Sequence, residues 1–326
     1  MKCTNKILAG LLVICLAISL SGCKSKQSEE ITNRYDIFQE DYLSQNQSQN
    51  EENYFSTGLC VGGAQNIGTD TTDSQVAEGA GVFNTTTGEI PYAQNIYEKL
   101  YPASTTKIMT AYVALKYGNL SDVVTVSENA LNIDPSSSTC GLAVGDKVTL
   151  QDLLYGMMMR SGNDAAVAIA EYISGDTASF ADKMNEEAKK LGATTSHFVN
   201  PNGLPDENHY TSVYDLYLIF QAAIQNETFH NIITTKNYTS NYTDASGAAK
   251  THEWNSTNAY FSGDQTVPDG FTVIGGKTGT TGEAGYCLVL LSQNLSGQPI
   301  ISIVLKADCK NNLYLLMNQM LAGYGN

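Results

Sequence analysis

The sequence has few basic residues, no paired metal-ligand motif and no apolar run long enough to cross a bilayer comfortably. Among its 326 residues, 18 are Lys or Arg and 33 are Asp or Glu, which gives a net charge of −15. This balance argues against a nucleic-acid-binding protein, because such a protein needs a basic surface to meet phosphate. The cysteines form no C-x-x-C pair and the four histidines are scattered. We therefore expect neither a metal site nor a nucleic-acid partner.

The first 22 residues predict an export signal. Lys2 and Lys6 precede an apolar run of 14 residues at 7–20, which is shorter than the roughly 20 residues that a transmembrane helix needs. Cys23 follows this run in the string LSGC, which resembles the bacterial lipoprotein cleavage box. The resemblance implies cleavage before Cys23 and attachment of lipid to its thiol, so that the mature protein would be extracytoplasmic and membrane-anchored. An ordinary signal peptide or a short uncleaved anchor is the alternative.

A polar linker is predicted at 23–54, where Gln, Asn, Ser and Glu dominate and the few apolar residues show no sustained period. Such a segment buries too little apolar surface to offset the entropy lost on ordering. As a coil of about 30 residues it would span on the order of 30 Å, which suits a tether between an anchor and a domain. We expect residues 55–326 to form that domain, although the role of 55–77 is open.

The predicted domain has strand-like sequence at both ends and helix-like sequence between them. An alternating segment that turns at Thr87-Gly88 predicts a hairpin. Residues 102–229 are mainly helical in pattern, and several helical segments end at glycine. Three strands follow residue 270, and a last helix is predicted at 311–321. The pattern indicates a mixed α/β fold without internal repeats.

The cysteine pattern leaves the redox state of the domain open. Cys3 and Cys15 lie in the export signal, and four further cysteines lie in the globular part: Cys60, Cys140, Cys287 and Cys309. Export permits disulfides, and four cysteines allow three pairings. Four free thiols agree with the sequence as well.

The first of three candidate catalytic motifs is Ser104-Thr105-Thr106-Lys107, an S-x-x-K pattern at a predicted helix start. The i, i+3 spacing places the serine and lysine side chains on one face, about one turn apart. A hydroxyl is a weak nucleophile until a base takes its proton, and a lysine kept partly neutral by burial and a neighbouring cation is such a base. The helix N-terminus would offer N–H groups to a developing oxyanion. Alone, the pattern also occurs by chance as a capping serine with an exposed lysine.

The other two motifs are the S-G-N triplet at 161–163 and the K-T-G triplet at 277–279. The first follows an apolar segment and precedes a helical one, so by itself a helix cap is the simpler interpretation. The second lies in a strand-like stretch, whose edge can pair with an extended peptide while the lysine supplies positive charge. By itself it would be an ordinary polar strand end.

Together and in this order, the three motifs match the set of penicillin-binding proteins and class A β-lactamases, with Gly162 in place of the Asp of S-D-N. Over residues 78–324 the chain resembles the serine-type D-alanyl-D-alanine carboxypeptidases, which are low-molecular-weight penicillin-binding proteins. Four segments carry the resemblance: YPASTTKIMTAYVALK, TLQDLLYGMMMRSGNDAA, HFVNPNGLPDENHYTS and GGKTGTTGEAGYCLV. The resemblance implies a DD-peptidase catalytic domain at 55–326. Its fold would be an antiparallel sheet built from both chain ends and flanked by helices, with a helical subdomain between.

The resemblance also implies an acyl-enzyme mechanism. Ser104 would attack the bond between the two terminal D-alanines of a peptidoglycan stem peptide, and β-lactams would acylate the same serine. Lys107 would take the serine proton, Ser161 would relay a proton to the leaving D-alanine, and Asn163 would hold Lys107 and the substrate amide.

The remaining implied roles lie on the K-T-G strand. Lys277 would set the electric field and, with Thr278 and Thr280, bind the terminal carboxylate, while Gly279 leaves room for close approach. The backbone N–H groups of Ser104 and Thr280 would form the oxyanion hole. The mechanism requires no metal and no organic cofactor.

Two features differ from related families. Glu128 lies in the string ENALN, which matches the E-x-x-L-N string of class A β-lactamases, but it precedes the S-G-N motif instead of following it. We therefore expect Ser127 to cap a short helix and Glu128 to take no part in catalysis. Many members of the carboxypeptidase family carry a C-terminal β-rich domain and a membrane-binding helix. We expect neither here, with the N-terminal lipid as the anchor instead.

Three alternatives to a carboxypeptidase remain at the level of sequence. A β-lactamase or a DD-endopeptidase would have the same fold and the same motifs. A cell-wall-binding or β-lactam-sensing lipoprotein would be acylated without turnover.

Overall fold

The structure, a computed structural model, describes residues 58–326. The predicted signal peptide at 1–22, Cys23 and nearly all of the linker predicted at 23–54 lie outside the described residues, as do the first residues of the domain predicted at 55–326. Two antiparallel sheets run through the described part, one of five strands and one of four. The predicted fold class is confirmed, because helices flank a sheet whose strands come from both ends of the domain.

The five-stranded sheet has the order β2-β1-β9-β8-β7. Its strands are β1 (Ala77–Asn84), β2 (Glu89–Gln94), β7 (Phe271–Thr281), β8 (Gly285–Asn294) and β9 (Pro299–Ala307). β1 pairs with both β2 and β9, so that the N-terminal hairpin and the C-terminal meander form one sheet. The predicted hairpin through Gly88 is confirmed, and Gly88 has a φ of 74° in that turn.

The described residues contain eight α-helices: α1 (Lys107–Tyr117), α2 (Leu150–Met159), α3 (Asn163–Ser174), α4 (Thr177–Lys190), α5 (Val213–Ala223), α6 (Glu227–Thr234), α7 (Ala259–Ser262) and α8 (Lys310–Tyr324). Three short 3₁₀-helices add to them: Ser74–Val76, Ala103–Thr106 and Asn129–Leu131. The predicted helical middle corresponds to α1–α6. The last predicted helix corresponds to α8.

The five-stranded sheet is buried on both faces. In β8, Leu288 and Leu290 pack with α8, whereas Val289 and Leu291 belong to the larger core that includes α1 and α5. Successive side chains of a strand point to opposite faces, so a strand buried on both sides reads as a continuous apolar run. The sheet is therefore the middle layer between α8 and the helical region, and its β7 edge lies beside the Ser104 turn.

The second sheet has the order β3-β4-β5-β6, and the sequence did not predict it. Its strands are β3 (Val123–Thr125), β4 (Lys147–Thr149), β5 (Asn237–Thr243) and β6 (Ala249–Asn255). β3 and β4 have three residues each, which is too short for a period-2 pattern. β5 and β6 are largely polar, and Trp254 is buried where the hairpin packs on the helical region.

Residues 58–76, whose role was open, cover the β2 edge of the large sheet. Ile67 forms an antiparallel bridge with Ala93 of β2, and the Tyr324 hydroxyl donates to the Gly68 carbonyl over 2.9 Å. Nearer the N-terminus of this segment, the buried Cys60 donates its N–H to the Tyr217 hydroxyl of α5 over 2.8 Å. The segment therefore ties β2 to the last helix and to α5, and it covers an edge that would otherwise offer unpaired backbone groups.

The four cysteines of the described part are free: Cys60, Cys140, Cys287 and Cys309. Of the alternatives that the sequence left open, the free thiols are therefore the ones in the structure. None of the helices between residues 58 and 326 combines the length and hydropathy of a membrane-spanning segment.

Candidate active site

The turn that carries Ser104 is a 3₁₀-helix, Ala103–Thr106, which continues into α1 at Lys107. Thr105 stabilises it, because both its N–H and its hydroxyl donate to the Pro102 carbonyl, over 3.2 and 2.6 Å. A 3₁₀-helix has three residues per turn, so side chains at i and i+3 eclipse each other. The sequence predicted an ordinary helix start. The tighter turn brings Ser104 and Lys107 together more directly.

Lys107 is fully buried and its amine has three acceptors. The Nζ atom lies 2.9 Å from Ser104 Oγ, 2.7 Å from Asn163 Oδ1 and 2.6 Å from the backbone oxygen of Asn202. Burial lowers the pKa of Lys107 well below its usual value, and the nearby Lys277 charge lowers it further. The carboxylate of Asp164 acts against this shift without reversing it.

This geometry determines which way the neutral amine faces. A neutral lysine amine keeps two N–H donors and gains one lone pair. Asn163 Oδ1 and the Asn202 carbonyl accept hydrogen bonds and cannot donate them, so they take the two N–H groups. The lone pair is then left for the hydroxyl proton of Ser104. The three contacts therefore leave the lone pair of a neutral Lys107 facing Ser104 and none of its other contacts.

The S-G-N triplet forms the connection between α2 and α3. Ser161 is buried and has a φ of 58°, which is uncommon for a residue other than glycine. Asn163 begins α3, and its N–H donates to the Ser138 carbonyl over 2.9 Å. The next residue, the buried Asp164, accepts N–H groups from Cys140 and Leu142. The triplet is thus held by its own helix and by the segment at 138–142, which precedes α2.

Lys277 joins the triplet to the edge strand β7. Its Nζ donates to Ser161 Oγ over 3.0 Å and to the Thr278 carbonyl over 2.7 Å. Only 1% of the surface of Lys277 is exposed. Burial lowers its pKa to about 7. The site therefore holds two buried amines, and only one of them contacts Ser104.

Strand β7 passes directly beside the Ser104 turn, and Gly279 makes this possible. A Cβ on Gly279 would lie 2.9 Å from the N atom of Ser104, closer than real Cβ contacts, and 3.0 Å from that of Thr105, which is tighter than most of them. The neighbouring Thr278 shares a 2.6 Å hydroxyl–hydroxyl hydrogen bond with Thr257, and Thr280 is exposed. β7 is an edge strand of its sheet, and its unpaired side, called the slot below, runs next to the turn that carries Ser104.

The structure groups Ser104 with Lys107 and Asn163, and Ser161 with Lys277, while β7 carries Thr278, Gly279 and Thr280 beside the Ser104 turn. It also adds a group that the sequence did not predict. The Asn202 carbonyl belongs to the segment HFVNPNGLPDENHYTS, which carried the resemblance without a role for any residue. Glu128 is exposed beside the 3₁₀-helix at 129–131. Ser127 caps that turn by accepting the Ala130 N–H over 3.0 Å, as expected. Within residues 58–326, no group of three or more His, Cys, Asp or Glu side chains is placed to hold a metal.

A serine hydroxyl against a buried lysine amine, beside an open strand edge, is typical of enzymes that form an acyl intermediate on serine. Comparisons with known proteins agree. The sequence profile of the D-alanyl-D-alanine carboxypeptidase family matches residues 67–309. The chain therefore belongs to the D-alanyl-D-alanine carboxypeptidase family of serine peptidases, as the motifs predicted.

Individual relatives show the same likeness. The chain is 36% identical over 251 residues to the D-alanyl-D-alanine carboxypeptidase DacF of Bacillus subtilis, covering 75% of this chain and 61% of that protein. It is 36% identical over 240 residues to a D-alanyl-D-alanine carboxypeptidase of a Streptomyces species, strain K15, covering 70% and 80%. The crystal structure of the Streptomyces K15 DD-transpeptidase matches with a TM-score of 0.68 at 34% identity, over 76% of this chain and 97% of that one.

The coverage of the relatives is uneven. The match spans 54% of the length of the Haemophilus influenzae carboxypeptidase DacA, at 36% identity over 67% of this chain. This chain therefore spans about half to three fifths of the length of the Bacillus and Haemophilus relatives. The shared part is the one that contains the site.

Proposed function

We propose that the protein is a serine DD-carboxypeptidase that removes the terminal D-alanine from peptidoglycan stem peptides ending in D-Ala-D-Ala. The observation that carries this proposal is the Lys107 amine, held between Asn163 Oδ1 and the Asn202 carbonyl with its third contact on Ser104 Oγ. Family membership supplies the substrate class. A relative from Streptomyces strain K15 is named a D-alanyl-D-alanine carboxypeptidase, and a matching crystal structure from the same strain is named a DD-transpeptidase.

In the proposed reaction Ser104 attacks the carbonyl of the penultimate D-alanine while Lys107 accepts the hydroxyl proton. The oxyanion forms at the N-terminal turn, where the N–H of Ser104 lies within reach of the β7 backbone at Gly279. The N–H of Thr280 on the same strand is the second proposed donor. The peptide C–N bond then breaks, D-alanine leaves with a proton, and water releases the shortened peptide from Ser104.

The second serine–lysine pair supplies the proton and the charge. Ser161 Oγ accepts a hydrogen bond from the Lys277 ammonium over 3.0 Å, so the hydroxyl proton of Ser161 remains available for the leaving amine. Lys277, with Thr278 and Thr280, attracts the terminal carboxylate to the β7 edge. Because a β-lactam carries a carboxylate next to a strained amide, it would bind the same slot and acylate Ser104.

The assay that tests the proposal measures release of D-alanine from diacetyl-L-lysyl-D-alanyl-D-alanine. We expect catalytic release that benzylpenicillin blocks, together with slow or absent hydrolysis of nitrocefin. Rapid nitrocefin turnover with little D-alanine release would identify a β-lactamase instead. Cleavage of cross-linked dimeric stem peptides at the higher rate would identify a DD-endopeptidase, and covalent penicillin labelling without D-alanine release would identify a sensor or binding lipoprotein.

We further propose that the protein is extracytoplasmic and is held at the bacterial cell membrane by lipid on Cys23. The support is the LSGC string at the end of the apolar run, together with a family whose substrate lies in the cell wall. Cys23→Ala should abolish metabolic labelling with a palmitate analogue and leave either an unprocessed precursor or a soluble protein. Cys15→Ala, within the export signal, is the matched control and should keep the label. A processed Cys23→Ala protein that still labels and remains membrane-bound would overturn this proposal.

A further inference from the structure

His209 is buried beside the site and has a hydrogen bond on each ring nitrogen. Its Nδ1 lies 3.1 Å from the backbone N–H of Val199, and its Nε2 lies 2.8 Å from the Thr106 hydroxyl. Because a backbone N–H can only donate, Nδ1 must accept and the proton of the neutral ring must lie on Nε2. The imidazole thus bridges Val199 to Thr106, the last residue of the Ser104 turn.

The segment that begins at Val199 supplies the Asn202 carbonyl. Residues 199–204 form a tight loop in which the Asn200 side chain accepts from the Gly203 N–H over 2.7 Å and donates to the Leu204 carbonyl over 3.0 Å. Two successive carbonyls of this loop face α1: that of Pro201 accepts from the Thr110 hydroxyl over 2.6 Å, and that of Asn202 accepts from Lys107. The internal hydrogen bonds of the loop therefore hold two carbonyl acceptors in place for Thr110 and Lys107, which are about one turn apart on α1.

The loop lies directly against the catalytic turn. A Cβ on Gly203 would lie 1.9 Å from the Ala103 carbonyl oxygen and 2.8 Å from the Thr106 hydroxyl oxygen, and the φ of Gly203 is 83°. No side chain fits between the loop and the turn. A small displacement of either one would change the distance from the Asn202 carbonyl to the Lys107 amine.

We propose that His209 is a positioning residue for acyl transfer: its neutral imidazole fastens the 199–204 loop to the Ser104 turn and so holds the Asn202 carbonyl against the Lys107 amine. This inference rests on the proposed function, because it concerns the base of the acylation step. His209 itself contacts neither Ser104 nor the substrate slot and is not a base for the reaction. Its Nε2–H points at Thr106.

Burial keeps His209 in the form that the bridge needs. It lowers the pKa of the imidazole to about 4, and the nearby His197 and Lys107 charges act in the same direction, whereas Asp206 opposes them. Besides His209 itself, the charged and titratable groups that act on Lys107 are Lys277, Asp164 and the Cys140 thiol. Burial raises the pKa of that thiol well above its usual value, so it stays neutral across the working range.

The test compares His209→Gln with wild type in the full-length protein, using the second-order rate constant for acylation by a fluorescent penicillin between pH 4 and 9. The flexible glutamine side chain does not bridge Val199 and Thr106 as the imidazole does. Small misplacements of a catalytic group lower the rate by up to about 100-fold. We expect a 10- to 100-fold slower acylation. The acid limb of the pH profile should move to lower pH, because losing the carbonyl removes a contact that favours the ammonium form of Lys107.

The Thr106 variants test the same bridge from its other end, on the Ser104 turn. Thr106→Val removes the acceptor and should reproduce both effects, whereas Thr106→Ser keeps a hydroxyl and should behave like wild type. His197→Gln is the matched control, because His197 is in the same segment, but its Nδ1 contacts the Asn208 carbonyl and it does not contact the turn. Thermal unfolding reports any general loss of stability, which by itself would not move the acid limb.

The outcomes separate two failures. If wild type is not acylated at all, the proposed function is wrong. If wild type is acylated, and both His209→Gln and Thr106→Val keep its rate and its acid limb, the bridge is overturned while the function stands. If His209→Gln does not fold, the Thr106 pair decides the matter by the same two readouts.

Discussion

The two serine–lysine pairs of the site are held in different ways. Ser104 lies in the 3₁₀ turn and Lys107 is the first residue of α1, so the local backbone alone brings the two side chains close. Ser161 and Lys277 are 116 residues apart and meet only because β7 packs beside the α2–α3 connection. The local chain therefore brings the first pair together, with Asn163 and Asn202 orienting its amine, whereas the second pair meets only in the folded domain.

The surroundings of the two amines differ as well. Lys107 has three oxygen contacts from three separate segments, and both burial and the Lys277 charge lower its pKa. Burial alone lowers the pKa of Lys277. Two buried cations at one site cannot both be stable, and Lys107 carries the additional repulsion. This difference supports the proposed division of roles, in which Lys107 gives up its proton first and acts as the base while Lys277 retains charge for the substrate.

The largest expected effect is on penicillin labelling when each of the two serines is replaced by alanine. Ser104→Ala should abolish covalent labelling by fluorescent penicillin, because the attacking oxygen is gone, while the protein stays folded. Ser161→Ala should still be labelled, at a rate reduced by about 10²- to 10⁴-fold, as expected for loss of a proton-transfer group. Gel fluorescence against time measures both, with the exposed Ser296→Ala as the control. Persistent labelling of Ser104→Ala would remove Ser104 from its role.

Replacing each lysine with arginine should have the next largest effect, on the rate of acylation. Arginine keeps the positive charge but stays protonated and cannot act as a base. Lys107→Arg should therefore slow single-turnover acylation by about 10³-fold or more, and Lys277→Arg should be affected much less. The exposed Lys147→Arg controls for the change itself. The opposite ranking would mean that the base and the electrostatic anchor are assigned the wrong way round.

A smaller effect concerns backbone strain and distinguishes the two serines by stability alone. Ser161 has a φ of 58°, so Ser161→Gly should be more stable than Ser161→Ala by roughly 0.5–1 kcal/mol. Ser104 has a negative φ within its 3₁₀ turn, so Ser104→Gly should be less stable than Ser104→Ala by a similar amount, about 0.5–1 kcal/mol. Denaturant unfolding of the four variants measures both differences. Equal signs at the two positions would contradict the strain at Ser161.

The sequence predicted the groups of the site better than their surroundings. Ser104 and Lys107 were predictable because a fixed spacing places them on one turn, and β8 because its apolar run is continuous. The Asn202 carbonyl was not predictable, because every residue has a backbone oxygen. Only the geometry of the 199–204 loop directs this one toward Lys107. The full burial of Lys277 depends on packing between β7 and the helical region, which no local pattern reports. The β5–β6 hairpin was missed because most of its side chains are polar.

The most direct test of the account is the pH dependence of kcat/KM for acylation in wild type and in Lys277→Arg. In wild type the rate should rise as Lys107 loses its proton, on a limb well below the ionisation of free lysine. It should fall again near pH 7, where Lys277 loses its proton. Arginine stays charged, so Lys277→Arg should keep the acid limb and lose the alkaline one. An alkaline limb that persists unchanged in Lys277→Arg, or a wild-type profile without an acid limb, would contradict the division of roles between the two lysines.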